Sequence, residues 1–207
     1  MKTNFKELIS IAVFCFMFVS CGDPNIPNGG TISGTIADYK AGSIDSLFCY
    51  TDDADNLLGS CNVSSTGKFT INVHTPPLVH KYRKIENVIQ SDTNAMVSAI
   101  VYFKALKNGK VAGYIYKSNI TDDSDFEVGK AFSDFYYSDR KFTIKGTTHI
   151  AAEHTSLTRV YDLTFNKGWN EVSSQVTEKT QDSESFTQTV VISNKIPTGL
   201  EWVLTSE

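Results

Sequence analysis

The chain has 207 residues, 41% hydrophobic, 12% aromatic and 20% charged. That is enough apolar material to bury a core in one or two domains, and too much for a disordered chain. Lys and Arg number 19 against 23 Asp and Glu, a mildly acidic balance that argues against nucleic-acid binding, which leans on clustered positive charge.

Lys2 and Lys6 precede an apolar run over residues 8–19 that only Ser10 interrupts, the order of charge and grease found in a secretory signal. As a helix this run reaches about 18 Å, short of the roughly 30 Å hydrocarbon core, so residues 1–20 read as a signal and not as a membrane span. Phe18-Val19-Ser20-Cys21 resembles the lipobox of bacterial lipoproteins, with Phe18 where that family usually has Leu. The resemblance implies a diacylglyceryl group on the Cys21 sulfur, cleavage before it and acylation of the new amino group. Such chains, at about 0.8 kcal/mol per buried CH₂, make the membrane a partner through the N-terminal lipid. Residues 21–30, with Pro24, Pro27, Gly29 and Gly30, form a flexible tether.

Short β patterns fill residues 31–76. Thr31 to Ile36 and 45–50 read as strands, and 57–63 as the return of the second. In 68–73, Phe69, Ile71 and Val73 alternate with Lys68, Thr70 and Asn72, the period of a half-buried strand. Cys49 and Cys61 flank a polar centre at 52–56. Folding that hairpin about residue 55 sets the two opposite each other, and in an exported chain they form a candidate disulfide; the alternative is two free thiols packed as small hydrophobes. No neighbouring base makes either a reactive thiolate. A segment of this size is small for a core of its own and should lean on its neighbour.

Pro76-Pro77 stops the last of these strands and can open a helix. Leu78, Tyr82, Ile85 and Val88 or Ile89 then recur at three and four residues, which predicts an amphipathic helical connector over 77–93. The remainder, 94–207, reads as β throughout: a central apolar strand at 95–106, an Asn108-Gly109 hairpin signal, a return at 111–117, then strands at 135–138, 142–150, 157–165, 186–193 and 200–204. In 157–165 only Arg159 breaks the alternation of Leu157, Tyr161, Leu163 and Phe165. The predicted fold is all-β: a small β domain, one connecting helix and a larger antiparallel β-sandwich.

Gly30-Thr31-Ile32-Ser33-Gly34-Thr35-Ile36, Ser65-Thr66-Gly67-Lys68-Phe69, Gly113-Tyr114-Ile115-Tyr116-Lys117-Ser118-Asn119, Tyr136-Tyr137-Ser138-Asp139, Lys167-Gly168-Trp169-Asn170 and the late Trp202 together resemble a family of Bacteroides-type outer-membrane lipoproteins. The front part is similar to prealbumin-like repeats seen in carboxypeptidase regulatory domains. The resemblance implies a lipid-anchored outer-membrane location and a β architecture, and it brings no catalytic residue. In those bacteria a run of acidic residues after the lipid-bearing Cys marks export to the cell surface; only Asp23 is present here, so periplasmic face and cell surface both stay open.

Candidate sites are few. His149, Glu153 and His154 have the wrong order and spacing for a zinc-protease helix, and His74 and His80 have no paired ligand. Asp52, Asp53, Asp55 with Asn56, and Asp122, Asp123, Asp125 with Glu127, are acidic loops without EF-hand spacing. No metal or cofactor is expected. Asp45-Ser46-Leu47 resembles the short O-glycosylation site of the same bacteria, making Ser46 a candidate acceptor. Trp169, Tyr136 and Tyr137, with Trp202 and Phe135, are the aromatic candidates for stacking a sugar, against the reading that they are core residues with wet polar tips. The expectation is a non-enzymatic envelope protein with a binding or structural role. The alternatives are a glycan-binding accessory of polysaccharide uptake, and an adhesin or fimbria-like component that accepts a strand from another subunit.

Overall fold

The computed structural model describes residues 29–51, 56–76, 80–82, 84–120, 127–182 and 185–206. The signal over 1–20, Cys21, most of the tether, and Asp52, Asp53, Asp55, Asp122, Asp123 and Asp125 lie outside the described residues.

Among the described residues the fold is all-β and sandwich-like. The strands in chain order are β1 (Gly30–Thr35), β2 (Ser46–Thr51), β3 (Leu57–Asn62), β4 (Lys68–Val73), β5 (His80–Lys81), β6 (Val88–Gln90), β7 (Met96–Lys107), β8 (Lys110–Ser118), β9 (Ala131–Ser138), β10 (Phe142–Ala152), β11 (Thr155–Phe165), β12 (Gly168–Gln181), β13 (Phe186–Ser193) and β14 (Glu201–Ser206). β1 and β4 form a two-stranded sheet, and the others join one long sheet in the order β3-β2-β7-β8-β9-β12-β13-β11-β10-β6, with β14 on β8 and β5 on β7. Pairing between these strands is antiparallel except between β11 and β13, which run parallel, the one departure among them from the antiparallel sandwich the sequence predicts.

Local chemistry explains several elements directly. β4 buries Phe69, Ile71 and Val73 and exposes the residues between them, as its alternation requires. Between β7 and β8, Asn108 (φ 50°) and Gly109 (φ 74°) take the positive φ angles of a type I′ turn. Asp45 holds that turn in place, accepting from Lys107 Nζ at 2.8 Å and from the Asn108 N–H at 2.6 Å.

Among the described residues the predicted helical connector is not a helix. His80 and Lys81 pair with Val97 and Met96 of β7, and Val88–Gln90 pair with 144–146 of β10. Between them the chain turns at Glu86 and Asn87, the latter at φ 61°. The three-residue spacing of Tyr82, Ile85 and Val88 does mark an inward side, since all three pack on one core. The two ends of the segment, however, are paired with the edges of β7 and β10, and the turn between them is closed by the Val88 N–H donating to the Ile85 carbonyl at 3.4 Å, so these backbone groups are met without a helix.

This segment has an architectural consequence. β7 also pairs with β9 through Val97↔Ser138 to Ile100↔Phe135, so 80–90 links β10 back to β7. The path β7-β9-β12-β13-β11-β10 thereby returns on itself as an irregular barrel. A register shift in β7 near Ile100 lets its two ends serve different cores.

One core gathers Ile32, Ile36, Leu47, Phe69, Ile71, Phe103, Ile115 and Trp202. It draws on both sides of the 76/94 boundary, and β2 pairs directly with β7. The front segment therefore leans on the later strands, as its size demands. The second core, inside the barrel, is Phe142, Ile144, Tyr161, Leu163, Phe165 and Val172.

Candidate ligand-binding site

Strand alternation gives β9 two different faces. Phe135 points to the first core, where it stacks on Trp202 at 5.9 Å with ring planes 4° apart. Phe132, Asp134 and Tyr136 point the other way, into the barrel, and line a cavity of about 360 Å³. β12 contributes Ser174 and Val176, β13 contributes Gln188, Val190 and Ile192, and β11 contributes Leu157 and Arg159. A second hollow of about 450 Å³ shares Ile120, Phe132 and Asp134, and a third of about 590 Å³ shares Tyr136 and Arg159. Size and lining, apolar walls with a few polar groups, are those of a small-molecule site.

Two of those polar groups stand out. Asp134 is half-buried and has no hydrogen-bond or ion-pair partner among the described residues. Burial alone pushes its carboxyl up to about 6, because the apolar wall disfavours the charged form. The Tyr136 phenol beside it is raised to about 12, by burial first and then by the negative charge of Asp134. Arg159 is likewise half-buried and without such a partner among the described residues. Lys130, by contrast, is engaged, donating to the Asn119 carbonyl at 3.1 Å. Unpaired charges on a partly buried wall are costly unless something else meets them.

Deeper in the barrel the wall becomes a conventional core. Phe142 and Phe165 stack at 4.8 Å with planes 7° apart, and Tyr82 leans on both. Burial raises the Tyr82 phenol too. Polar groups thus occupy the mouth, and aromatic rings fill the far end.

The aromatic candidates separate. Tyr136 lies in the cavity, whereas Tyr137 is 4% exposed on the reverse face and meets Trp169 edge-on at 5.6 Å. Trp169 is the second residue of β12, pairs with Tyr137 and packs against Gly30. Its indole Nε1 is buried without a partner among the described residues. These three residues do not form one platform, because neighbouring strand positions face opposite ways. Sequence reasoning missed Asp134 and Arg159. The signal was a charge at an inward position: Arg159 breaks an apolar alternation, and Asp134 sits between two aromatics at two-residue spacing.

The proposed disulfide is absent: Cys49 and Cys61 are both free. Cys49 lies opposite Gly59 and Cys61 opposite Leu47, so the hairpin folds one residue earlier than residue 55. That leaves the cysteines diagonal on one face, beyond the close opposition a bridge needs. Burial pushes the Cys49 thiol up to about 12, as an apolar surround does.

Ser46 is half-buried in β2, with strands paired on both sides. His149 faces Thr158 across β10 and β11, its Nδ1 3.1 Å from the hydroxyl, while Glu153 and His154 form the turn between those strands. Among the described residues no three His, Cys, Asp or Glu side chains gather as a metal site. Glu127 instead accepts from Lys179 Nζ at 2.6 Å. No protein-family model, curated protein or solved structure matches the chain.

Proposed function

We propose that the chain is a lipid-anchored outer-membrane protein, of the Bacteroides-type lipoprotein family it resembles, with a non-enzymatic binding role. The observation that carries the binding role is the cavity on the inner face of the barrel, where Asp134 and Arg159 stand on doubly paired strands without side-chain partners among the described residues. Fixed strands hold such groups ready, so little order is lost when a ligand arrives. Ser174 is the one hydroxyl of a serine or threonine on the cavity wall, and no hydrogen bond to a base activates it among the described residues. Binding, without chemistry on the ligand, is the role this arrangement supports.

The anchor rests on Lys2, Lys6, the apolar run and Cys21. Mass spectrometry of the protein extracted from membranes tests it. The expected N-terminal peptide starts at an acylated Cys21, and Cys21→Ser releases the chain from the membrane fraction. An unmodified N-terminus at another residue removes the anchor. For the binding role, a soluble Cys21→Ser chain is screened by thermal shift against small polar and amphiphilic compounds. A ligand whose stabilisation vanishes in Arg159→Gln supports the role, and a screen in which every such shift survives that change overturns it.

A further inference from the structure

We infer that the Asp134–Arg159 cavity takes a neutral saccharide of two or more rings. This rests on the reading of the cavity as a ligand site and names the class of ligand it fits.

Three features on the wall select that class. The first is the pair of opposite charges, Asp134 and Arg159, that no side chain meets among the described residues. A carboxylate only accepts hydrogen bonds and a guanidinium only donates them, so the occupant must present donors at one end and acceptors at the other. A hydroxyl does both. An anionic amphiphile would answer Arg159 while setting a second negative charge near Asp134, and a cationic one would do the reverse.

The second is reach. Asp134 is on β9 and Arg159 on β11, with β12 and β13 between them, and the register sets Asp134 level with Val172 but Arg159 level with Val190 and Val176; three strand spacings of about 4.8 Å and four residues of about 3.3 Å place them roughly 20 Å apart along the curved wall. An elongated ligand meets both groups together better than a single small ring.

The third is the aromatic frame. Phe132 and Tyr136 flank Asp134 on the same face of β9, and Phe132 is 36% exposed at the mouth. A sugar ring has apolar C–H faces to lay on such rings and hydroxyls around its rim to reach the carboxylate between them. An extended peptide fits less well. It gains affinity from a free strand edge, and β12 and β13 are paired on both sides.

The titratable groups that share a cavity wall with Asp134 are Lys130 and Tyr136 from its own segment, Tyr116 from β8 and Arg159 from β11. A saccharide that donates to the carboxylate favours its ionised form, so affinity falls as pH drops through about 6.

The test is titration calorimetry on the full mature chain with a panel of neutral oligosaccharides, alongside laurate and a neutral tetrapeptide. The expected result is saccharide binding that weakens at least tenfold in Asp134→Asn and in Arg159→Gln, and severalfold between pH 7.5 and pH 5. Lys145→Gln, on the outer face, should change it less than twofold. Saccharide binding indifferent to both cavity variants would move the site elsewhere and overturn the assignment. If laurate or the peptide binds in its place and Asp134→Asn or Arg159→Gln alters that binding, the saccharide class falls and the cavity's binding role stands. If none of the three probe classes binds, the saccharide inference falls, and the thermal-shift screen on Arg159→Gln decides the binding role separately.

Discussion

The two cores share strands β7 and β9 yet are filled in different ways. Around Trp202 the packing is complete: the indole is 5% exposed, edge-on to Phe69 at 5.1 Å and to Phe103 at 5.2 Å, and stacked on Phe135. Gly34 leaves room there that a side chain would invade, and Gly59 does the same beside Ile71 and Asn72. Inside the barrel the far end is as well packed, but the mouth carries Asp134, Arg159, Ser174 and Gln188 where a closed core would carry hydrocarbon. One strand, β9, presents Phe135 to the first region and Asp134 to the second. The contrast teaches that stability comes mainly from the front core and its junction, while the mouth of the barrel gives up some stability to hold polar groups inward, as binding sites commonly do.

The largest effect expected from breaking this contrast is at Trp202. Trp202→Ala leaves a hole among three aromatic rings and should cost about 3–5 kcal/mol, lowering the melting midpoint by roughly 10 °C. A drop under about 3 °C by differential scanning calorimetry would mean the front core does not dominate.

Gly59→Ala comes next. A Cβ at that position meets the Asn72 carbonyl, a backbone atom with nowhere to go, so β3 or β4 must shift at a cost of about 1–3 kcal/mol. Urea unfolding reads it directly, and a neutral substitution would show that the two strands are looser than they look.

Asp134→Asn should act in the opposite direction. Its folded carboxyl sits near 6 against an ordinary 3.8, so the fold favours the protonated form. Stability at this group is greatest at low pH and is lost as pH rises from about 4 through 6. At pH 7.5 the full penalty is present, and removing it should raise stability by about 1–2 kcal/mol, a figure reduced from the bare shift because water partly reaches the group. Toward pH 4 the gain should disappear. An equal gain at both pH values would separate it from ionisation.

The smallest effect concerns the thiols. Because Cys49 and Cys61 are unbonded, reductant should leave the melting midpoint unchanged, where breaking a disulfide would cost about 2–4 kcal/mol. Both thiols should titrate in denaturant without reduction, and in the native protein Cys49 should react more slowly than Cys61, because it is buried while Cys61 is partly exposed.

Much of the fold was legible where the sequence alternates cleanly. The strand at Lys68–Val73, the Asn108-Gly109 turn and the long strands at Phe142–Ala152 and Thr155–Phe165 follow from period and turn chemistry. β12 was not legible. Its residues Glu171, Ser173, Ser174, Gln175, Thr177 and Glu178 are polar, and it is a strand because β9 and β13 pair with it on both sides, which no local pattern announces. The same holds for 80–90: the inward residues were readable, but the path between them is fixed by distant edges. The cysteine pairing failed by a one-residue displacement of a turn centre, which changes every opposite partner. At the site, Tyr136 was readable as an aromatic candidate, whereas Asp134 and Arg159 gain meaning only when the barrel closes and sets them on one wall.

The barrel mouth is an opening with room for an occupant. Val190→Phe adds bulk to its wall from β13, a half-buried position, and thermal melting of that variant is the most direct measurement. With an open cavity the midpoint should stay within about 2 °C of the parent or rise, since the ring enters vacant space and buries apolar area. A fall of more than about 5 °C, the mark of overpacking, would show the space to be already full and would contradict the account.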